Sequence, residues 1–263
     1  MRIPLFHVDA FTDRPFTGNP AAVCLLDSWL DDGRLRKVAA ENNLSATAFL
    51  VRGNDLYELR WFTPLCEVRL CGHATIAAAY ILLNRLYPQS DSIEFRTKFH
   101  GVVRVIRYGD LFWIDLRAMA PQPCSVPDGL AQALELLSPP REVLEANDTY
   151  LLVLNSEDAV RRVRPNFELI EKFHPYAVAV TAAGVDCDFV SRYFAPSYGV
   201  PEDPVTGSVH CALTPYWAQR LGRSHLHARQ LSERGGELWC ELNGDRVVVK
   251  GKAVLSMEGV LEI

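Results

Sequence analysis

Short apolar runs rich in β-branched and aromatic residues dominate the first half of the chain, at 5–11, 21–26, 48–52, 57–62, 92–97, 102–108 and 111–116. Runs of that length and composition predict strands. Two segments carry a helical pattern instead. The first follows Ser28, a residue type suited to capping, and covers 30–42 with Leu30, Leu35, Val38 and Ala39 on one face. The second, 72–86, is apolar nearly all round, so other elements have to enclose it. A proline-rich stretch at 121–127 interrupts this order, which then resumes. A strand is expected near 150–154, a helix near 167–173, strands at 177–181 and 188–194, a helix over 207–221, and strands from 227 to the end.

The resumption is a repeat. A shift of 135 residues lays Gly72, Ala77, Arg85 and Leu86 on the identical types Gly207, Ala212, Arg220 and Leu221. A shift of 132 lays Arg60-Trp61-Phe62-Thr63-Pro64 on Arg192-Tyr193-Phe194-Ala195-Pro196. Matches in the same strand, proline, loop and apolar-helix context point to duplication of one supersecondary unit. The expectation is an α+β protein of two similar lobes, 1–118 and 125–251, with the cleft between them as the default ligand site.

Charge and cysteine usage narrow the function. Lys and Arg total 27 against 32 Asp and Glu, a formal charge of −5, which excludes an electrostatic nucleic-acid binder. The longest apolar stretch, 74–83, falls short of the roughly 18 residues of a membrane span. His7, Asp9 and Asp13 stand where a signal peptide is apolar, so the chain reads as cytoplasmic and off the membrane. The seven cysteines are odd in number, without a C-x-x-C pair, and fit neither a disulfide framework nor a zinc knuckle. His225 and His227 alternate on an expected strand and read as a surface pair rather than metal ligands.

Both apolar helices begin after polar loops that contain glycine: Leu70-Cys71-Gly72-His73-Ala74-Thr75, and Pro201-Glu202-Asp203-Pro204-Val205-Thr206-Gly207-Ser208. Helix starts present unpaired N–H groups and a partial positive charge, so these two suit an anionic small molecule such as a carboxylate. His73 and Asp203 are the titratable groups at hand and Ser208 the hydroxyl, a set fitted to proton transfer. The structural alternatives are that Asp203 or Thr206 caps the helix, that His73 is a satisfied helix-start residue, and that Gly207 permits a turn. Cys71 at a helix start raises the idea of a two-thiol racemase. Its counterpart by the 135-residue shift is Thr206, and Cys211 lies a turn inside the helix, where it reads as core. Ser232-Glu233-Arg234-Gly235-Gly236 reads as a hairpin turn.

The chain resembles the phenazine-biosynthesis-like (PhzF-like) isomerase family, which shares the diaminopimelate epimerase fold. The resemblance spans the whole chain. It runs through Phe6-His7-Val8-Asp9-Ala10-Phe11, Phe16-Thr17-Gly18-Asn19-Pro20-Ala21-Ala22-Val23, Asn43-Leu44-Ser45, Trp61-Phe62-Thr63-Pro64, the two helix-start loops, and Gln230-Leu231-Ser232 with Arg234-Gly235-Gly236. It implies two pseudo-symmetric lobes, each a rolled, mostly antiparallel β layer around a central helix, the first completed by a strand at about 252–263. It also implies a homodimer and no cofactor; with helix starts holding the anion no metal is required, and the expected activity is isomerisation of a small carboxylate-bearing substrate by acid–base proton transfer. The family's best-understood reaction is isomerisation of trans-2,3-dihydro-3-hydroxyanthranilate. Carried over, His73, Asp203 and Ser208 match catalytic positions, and Asn19, Cys71, Gly72, Thr206 and Gly207 match substrate-binding ones.

One catalytic position departs. The family pattern Asn-Leu-Ser-Glu, with Glu as acid/base, reads here Asn43-Leu44-Ser45-Ala46. Three readings follow: an engineered replacement, a natural variant with the base moved to Asp203, His73 or Cys71, or a paralogue that binds its ligand without turnover. Arg69, where relatives are expected to carry an acidic or neutral residue, reads as a solvated strand-end cation before a selector of more acidic ligands.

Overall fold

The computed structural model describes residues 1–263, which divide into two compact units: Met1–Asp115 with Lys250–Ile263, and Leu116–Val249. In the first unit the order is β1 (Arg2–Ala10), β2 (Asn19–Leu26), α1 (Asp32–Asn42), β3 (Ala46–Arg52), β4 (Tyr57–Phe62), β5 (Glu67–Val68), α2 (Gly72–Ile81), β6 (Ser92–Thr97), β7 (Gly101–Tyr108) and β8 (Leu111–Arg117). β1 and β2 pair antiparallel, β2 and β3 parallel across α1, and β3 and β4 antiparallel. β4 then pairs antiparallel with β5 and parallel with β6, across α2, and β6 and β7 close antiparallel. The C-terminal strand, Ala253–Glu262, pairs antiparallel with β1 from Arg2↔Glu262 to Ala10↔Ala253.

In the second unit β9 (Gln122–Pro123) and the short helix α3 (Leu130–Ala133) lead into β10 (Glu142–Ala146), β11 (Thr149–Val153), α4 (Glu157–Arg162), α5 (Phe167–Glu171), β12 (Ala177–Ala183), β13 (Phe189–Ala195) and β14 (Val200–Asp203). α6 (Gly207–Leu221), β15 (His225–Gln230), β16 (Gly236–Asn243) and β17 (Arg246–Gly251) follow. The pairings repeat those of the first unit in order and sense. β10 and β11 are antiparallel, β11 and β12 parallel, β12 and β13 antiparallel, β13 and β14 antiparallel, β13 and β15 parallel, and β15 and β16 antiparallel. The duplication read from a handful of identities is thus a duplication of topology.

A buried ion pair recurs with it. Arg60 of β4 donates through Nε and Nη2 to the two oxygens of Glu67 at 2.7 and 2.8 Å. Arg192 of β13 does the same to Glu202 at 2.8 Å twice, and its Nη1 donates to the Val163 carbonyl at 2.8 Å. These are the positions related by the 132- and 135-residue shifts. In each unit the pair ties the strand before the apolar helix to the segment that feeds it. Breaking a largely buried pair from one side leaves a desolvated charge, at a cost of about 3–5 kcal/mol. Arg192→Ala is therefore expected to lower the unfolding free energy by about 3 kcal/mol in urea titration. A loss under about 1 kcal/mol would show the pair to be solvated and of little consequence.

The apolar helices are enclosed as their composition requires. Nine residues of α2, from Gly72 to Ile81 with Tyr80 the exception, are buried, and the helix packs on β1, β2 and β3. α1 buries Leu35, Val38 and Ala39 against Ile3, Phe49 and Phe62. Three expectations about boundaries are corrected. Ser28 does not cap α1: Asp31 does, its carboxylate accepting from Arg34 N–H at 3.0 Å, and Leu30 packs ahead of the helix. The α-helix expected over 72–86 changes at Leu82 into a wide turn closed by Tyr87 N–H to Leu82 O at 2.7 Å. That turn leaves the Leu83 carbonyl to accept from Arg107 at 3.0 Å. The stretch at 200–203, expected as loop, is β14, with Tyr193 opposite Asp203. β10 escaped notice because its hairpin turns on Asn147 and Asp148, both at positive φ, with no glycine to mark it. No helix is long and apolar enough to cross a membrane.

Candidate active site

In the first unit four side chains converge at the start of α2. Asn19 opens β2, Ser45 precedes β3, Cys71 is the residue before the helix, and His73 is its second residue. Asn19 Nδ2 lies 3.2 Å from His73 Nδ1, Ser45 Oγ lies 3.2 Å from His73 Nε2, and Ser45 Oγ donates to Asn19 Oδ1 at 2.5 Å. One proton assignment satisfies all three contacts. The Asn19 amide donates to Nδ1, Nε2–H donates to the serine oxygen, and the serine hydroxyl donates back to the asparagine carbonyl. The ring so formed is neutral. Burial pushes the His73 imidazole down to about 3, so near pH 7 it is uncharged and serves as a fixed polar partner, not an imidazolium acid. Cys71 Sγ stands 3.5 Å from His73 Nδ1, and its carbonyl accepts from Thr75 Oγ1 at 2.7 Å. Ala46 begins β3 beside Ser45, fully buried and opposite Ala21 of β2. Gly72 supplies the first helical residue.

In the second unit the corresponding helix start is held by a different set. Asp203 ends β14, buried, and accepts from Thr206 Oγ1 at 2.5 Å. Gln230, the last residue of β15, is fully buried and grips the loop. Its Oε1 accepts from Thr206 N–H at 2.8 Å, and its Nε2 donates to the Asp203 carbonyl at 2.7 Å and to Thr206 Oγ1 at 3.1 Å. Ser232 Oγ donates to the Pro204 carbonyl at 2.8 Å and accepts from Gly235 N–H at 3.1 Å, so the 231–235 hairpin turn also braces the loop. Gly207 and Ser208 are the first two residues of α6, Ser208 half-buried. One turn on, His210 Nδ1 donates to the Thr206 carbonyl at 2.7 Å, and burial lowers its imidazole to about 4.

The carboxylates near these helix starts differ in commitment. Glu67 and Glu202 are each gripped at both oxygens by an arginine, and Arg60 holds Glu67 below the usual carboxylate range. Among the contacts of Asp203 is a neutral hydroxyl, that of Thr206. Hydrogen bonding to a carboxylate from a group that can reorient suits proton transfer better than a two-point ion pair.

The structure thus gathers Asn19, Cys71, Gly72 and His73 in one unit and Asp203, Thr206, Gly207 and Ser208 in the other. Ser45 and Gln230 complete the two sets, and composition had singled out neither as a site residue. The available signal was their place in two motifs of the family resemblance, Asn43-Leu44-Ser45 and Gln230-Leu231-Ser232. Cys211 is buried with Sγ toward the Gly207 carbonyl, as a core residue. Arg69 is exposed and rests over the Phe99 ring at 5.6 Å. His227 stacks on Trp239 at 5.4 Å, and no group of three or more His, Cys, Asp or Glu is assembled to hold a metal ion.

The family model described as "Phenazine biosynthesis-like protein" (PhzC-PhzF) matches residues 8–259. An isomerase of Pseudomonas aeruginosa, itself uncharacterised, is 50% identical over the full length of both chains. The crystal structure of a PhzF-family phenazine biosynthesis protein from Enterococcus faecalis covers all of both chains at a TM-score of 0.93 and 38% identity. A hydroxyproline epimerase from Agrobacterium vitis, at 10% identity and a TM-score of 0.69 over 99% of this chain and 92% of its own, shares the epimerase fold alone.

Proposed function

The chain belongs to the phenazine biosynthesis-like (PhzC-PhzF) family, whose curated relatives include proteins named isomerases, and on that premise we propose that it isomerises a small carboxylate-bearing metabolite by acid–base proton transfer without a cofactor. The observation that carries the reading is the setting of Asp203: a buried carboxylate at the start of an enclosed helix, hydrogen-bonded by Thr206 on a loop that Gln230 pins at three points. Asp203 is assigned the proton. The helix-start N–H groups, at Gly72 and His73 in the first unit and at Gly207 and Ser208 in the second, are each assigned an anion-binding role, which helix N-termini favour. His73, neutral and tied to Asn19 and Ser45, fixes the shape of the first half-site rather than shuttling charge. Cys71 beside it is assigned a substrate contact. The same reading carries a homodimer, implied by the family resemblance, and a cytoplasmic location, expected from the short apolar stretches and the polar residues His7, Asp9 and Asp13.

Ala46 favours a second reading, a protein that binds the same acid without turning it over, because a buried methyl group stands at the family's acid/base position. Solvent exchange separates the two. In deuterated buffer the protein is to be incubated with dihydro-hydroxyanthranilate and a panel of small amino and hydroxy acids, and loss of substrate C–H signals followed by NMR. Turnover is expected for one member of the panel, and Asp203→Asn is expected to slow it at least about 100-fold while the variant still melts cooperatively. Unchanged exchange in Asp203→Asn removes Asp203 from the mechanism. Binding without exchange in the parent chain establishes the second reading.

A further inference from the structure

Phe16 is held in a costly conformation whose benefit does not come from packing. It lies in the eight-residue loop, 11–18, that joins β1 to β2, in the left-handed region at φ 69°, with its side chain 76% exposed. A second phenylalanine of the same loop supplies the contrast. Phe11 is also left-handed, at φ 63°, but it is 1% exposed. Its ring fills the space where a Cβ on Gly251 would stand, and its N–H donates to the Lys252 carbonyl at 2.7 Å. Burial compensates Phe11. The Phe16 ring makes no aromatic or cation contact, and an asparagine or glycine would take its backbone angle with less strain.

The loop is nevertheless built to keep Phe16 where it is. Its N–H donates to Oδ2 of Asp9, a buried carboxylate, at 2.9 Å. Thr12 and Thr17 join hydroxyls at 2.5 Å across the loop, and Thr17 Oγ1 donates to the Arg14 carbonyl at 2.8 Å. Gly18, at φ 67°, leaves no room for a Cβ, which would stand 2.3 Å from the Ala10 carbonyl oxygen. The β1–β2 ladder ends at Ala10↔Asn19, so the loop grows directly from the residue that binds His73. A bulky apolar side chain in a disfavoured, over-determined backbone, on a loop that leads into a polar site, is the pattern in which strain serves a ligand.

We propose that Phe16 is a specificity-determining residue: its ring covers the apolar face of the acid bound at the Asn19–His73 half-site and so favours substrates with a hydrophobic body over short polar acids. This rests on the reading of that half-site as a carboxylate site. An isolated exposed phenylalanine is ordinary on a protein surface. The left-handed backbone, the buried carboxylate spent on its N–H, and the adjacency to Asn19 together set this one apart.

The test titrates the full chain and its Phe16→Asn variant with benzoate and, separately, with acetate, following the Asn19 side-chain amide and the His73 ring by NMR and the melting temperature without ligand. Benzoate is expected to bind Phe16→Asn at least about tenfold more weakly than the parent, with acetate binding the two within about twofold. The variant is expected to melt at the same temperature as the parent or higher, since asparagine relieves the backbone. Equal benzoate affinity in the two chains overturns the proposal. So does a fall in melting temperature of more than about 4 °C, which would reveal a packing role. If neither acid shifts Asn19 or His73 in the parent, the carboxylate reading of the half-site fails, and this inference with it.

Discussion

Ala46→Glu is expected to raise proton exchange on the turned-over acid by about 10²–10⁴-fold, the usual contribution of a positioned general acid or base. The residue opens β3 next to Ser45, which contacts both Asn19 and His73, so a carboxyl grown from position 46 starts beside the first half-site. A methyl group there offers no proton acceptor, and on the proposed reading the proton falls to Asp203. The gain has a structural cost. Ala46 is 1% exposed, and introducing a carboxyl into that packing is expected to remove about 2 kcal/mol of stability. Exchange rates and urea unfolding curves for parent, Ala46→Glu and the double variant with Asp203→Asn measure both effects. If Asp203→Asn abolishes exchange even in the Ala46→Glu background, Asp203 is required for turnover whatever stands at position 46. If the Ala46→Glu variant is folded, binds the acid and exchanges no faster than the parent, the position no longer serves as an acid/base site in this chain.

Acid should unfold this protein through two histidines before most of its carboxylates are protonated. His73 and His210 are pushed from the ordinary value of 6.5 to about 3 and about 4, in each case chiefly by burial. Between those values and 6.5 the unfolded chain binds protons that the native chain refuses, so stability falls as pH drops below 6.5 and is fully regained above it. Each group contributes about 1.4 kcal/mol per pH unit, so going from pH 7.5 to pH 5 costs about 2 kcal/mol for each and about 4 for the pair. Urea unfolding at the two pH values is expected to show this loss, and His210→Gln to lower the slope between pH 5 and 6.5 by about 1.4 kcal/mol per pH unit. Gln can still donate toward the Thr206 carbonyl that His210 Nδ1 serves, which keeps the variant folded. A slope in His210→Gln equal to that of the parent would mean that His210 is hydrated and titrates normally in the native state.

Both predictions depend on features of unequal visibility in the chain. The strands and the two enclosed helices were legible because apolar periodicity is a local property. Residues 57–62, 92–97 and 207–221 form the expected elements at the expected bounds. The duplication was legible too, since Arg60 and Arg192, or Gly72 and Gly207, keep their types at a constant offset. The α1 boundary was less so: Ser28 and Asp31 are both competent caps, and the choice turns on where Trp29 and Leu30 pack against the core. β10 escaped because no glycine marks the turn at Asn147 and Asp148, and β14 because its pairing with β13, not its own composition, makes it a strand.

The motifs pointed to the family by resemblance, while residue type and spacing by themselves determined the α+β class and the candidate set His73, Asp203 and Ser208, because helix starts, glycine loops and titratable side chains are written consecutively. Tertiary structure decided the surroundings of those residues. Burial makes His73 a neutral link in a ring with Asn19 and Ser45, a state set by solvent access and by partners 54 and 28 positions away. The grip of Gln230 on the Asp203–Thr206 loop, the arginine pairs that occupy Glu67 and Glu202, and the exposed ring of Phe16 have the same origin. Hydrogen bonds and desolvation act over a few ångströms in space, and only the folded backbone brings residues so far apart in the chain within that range.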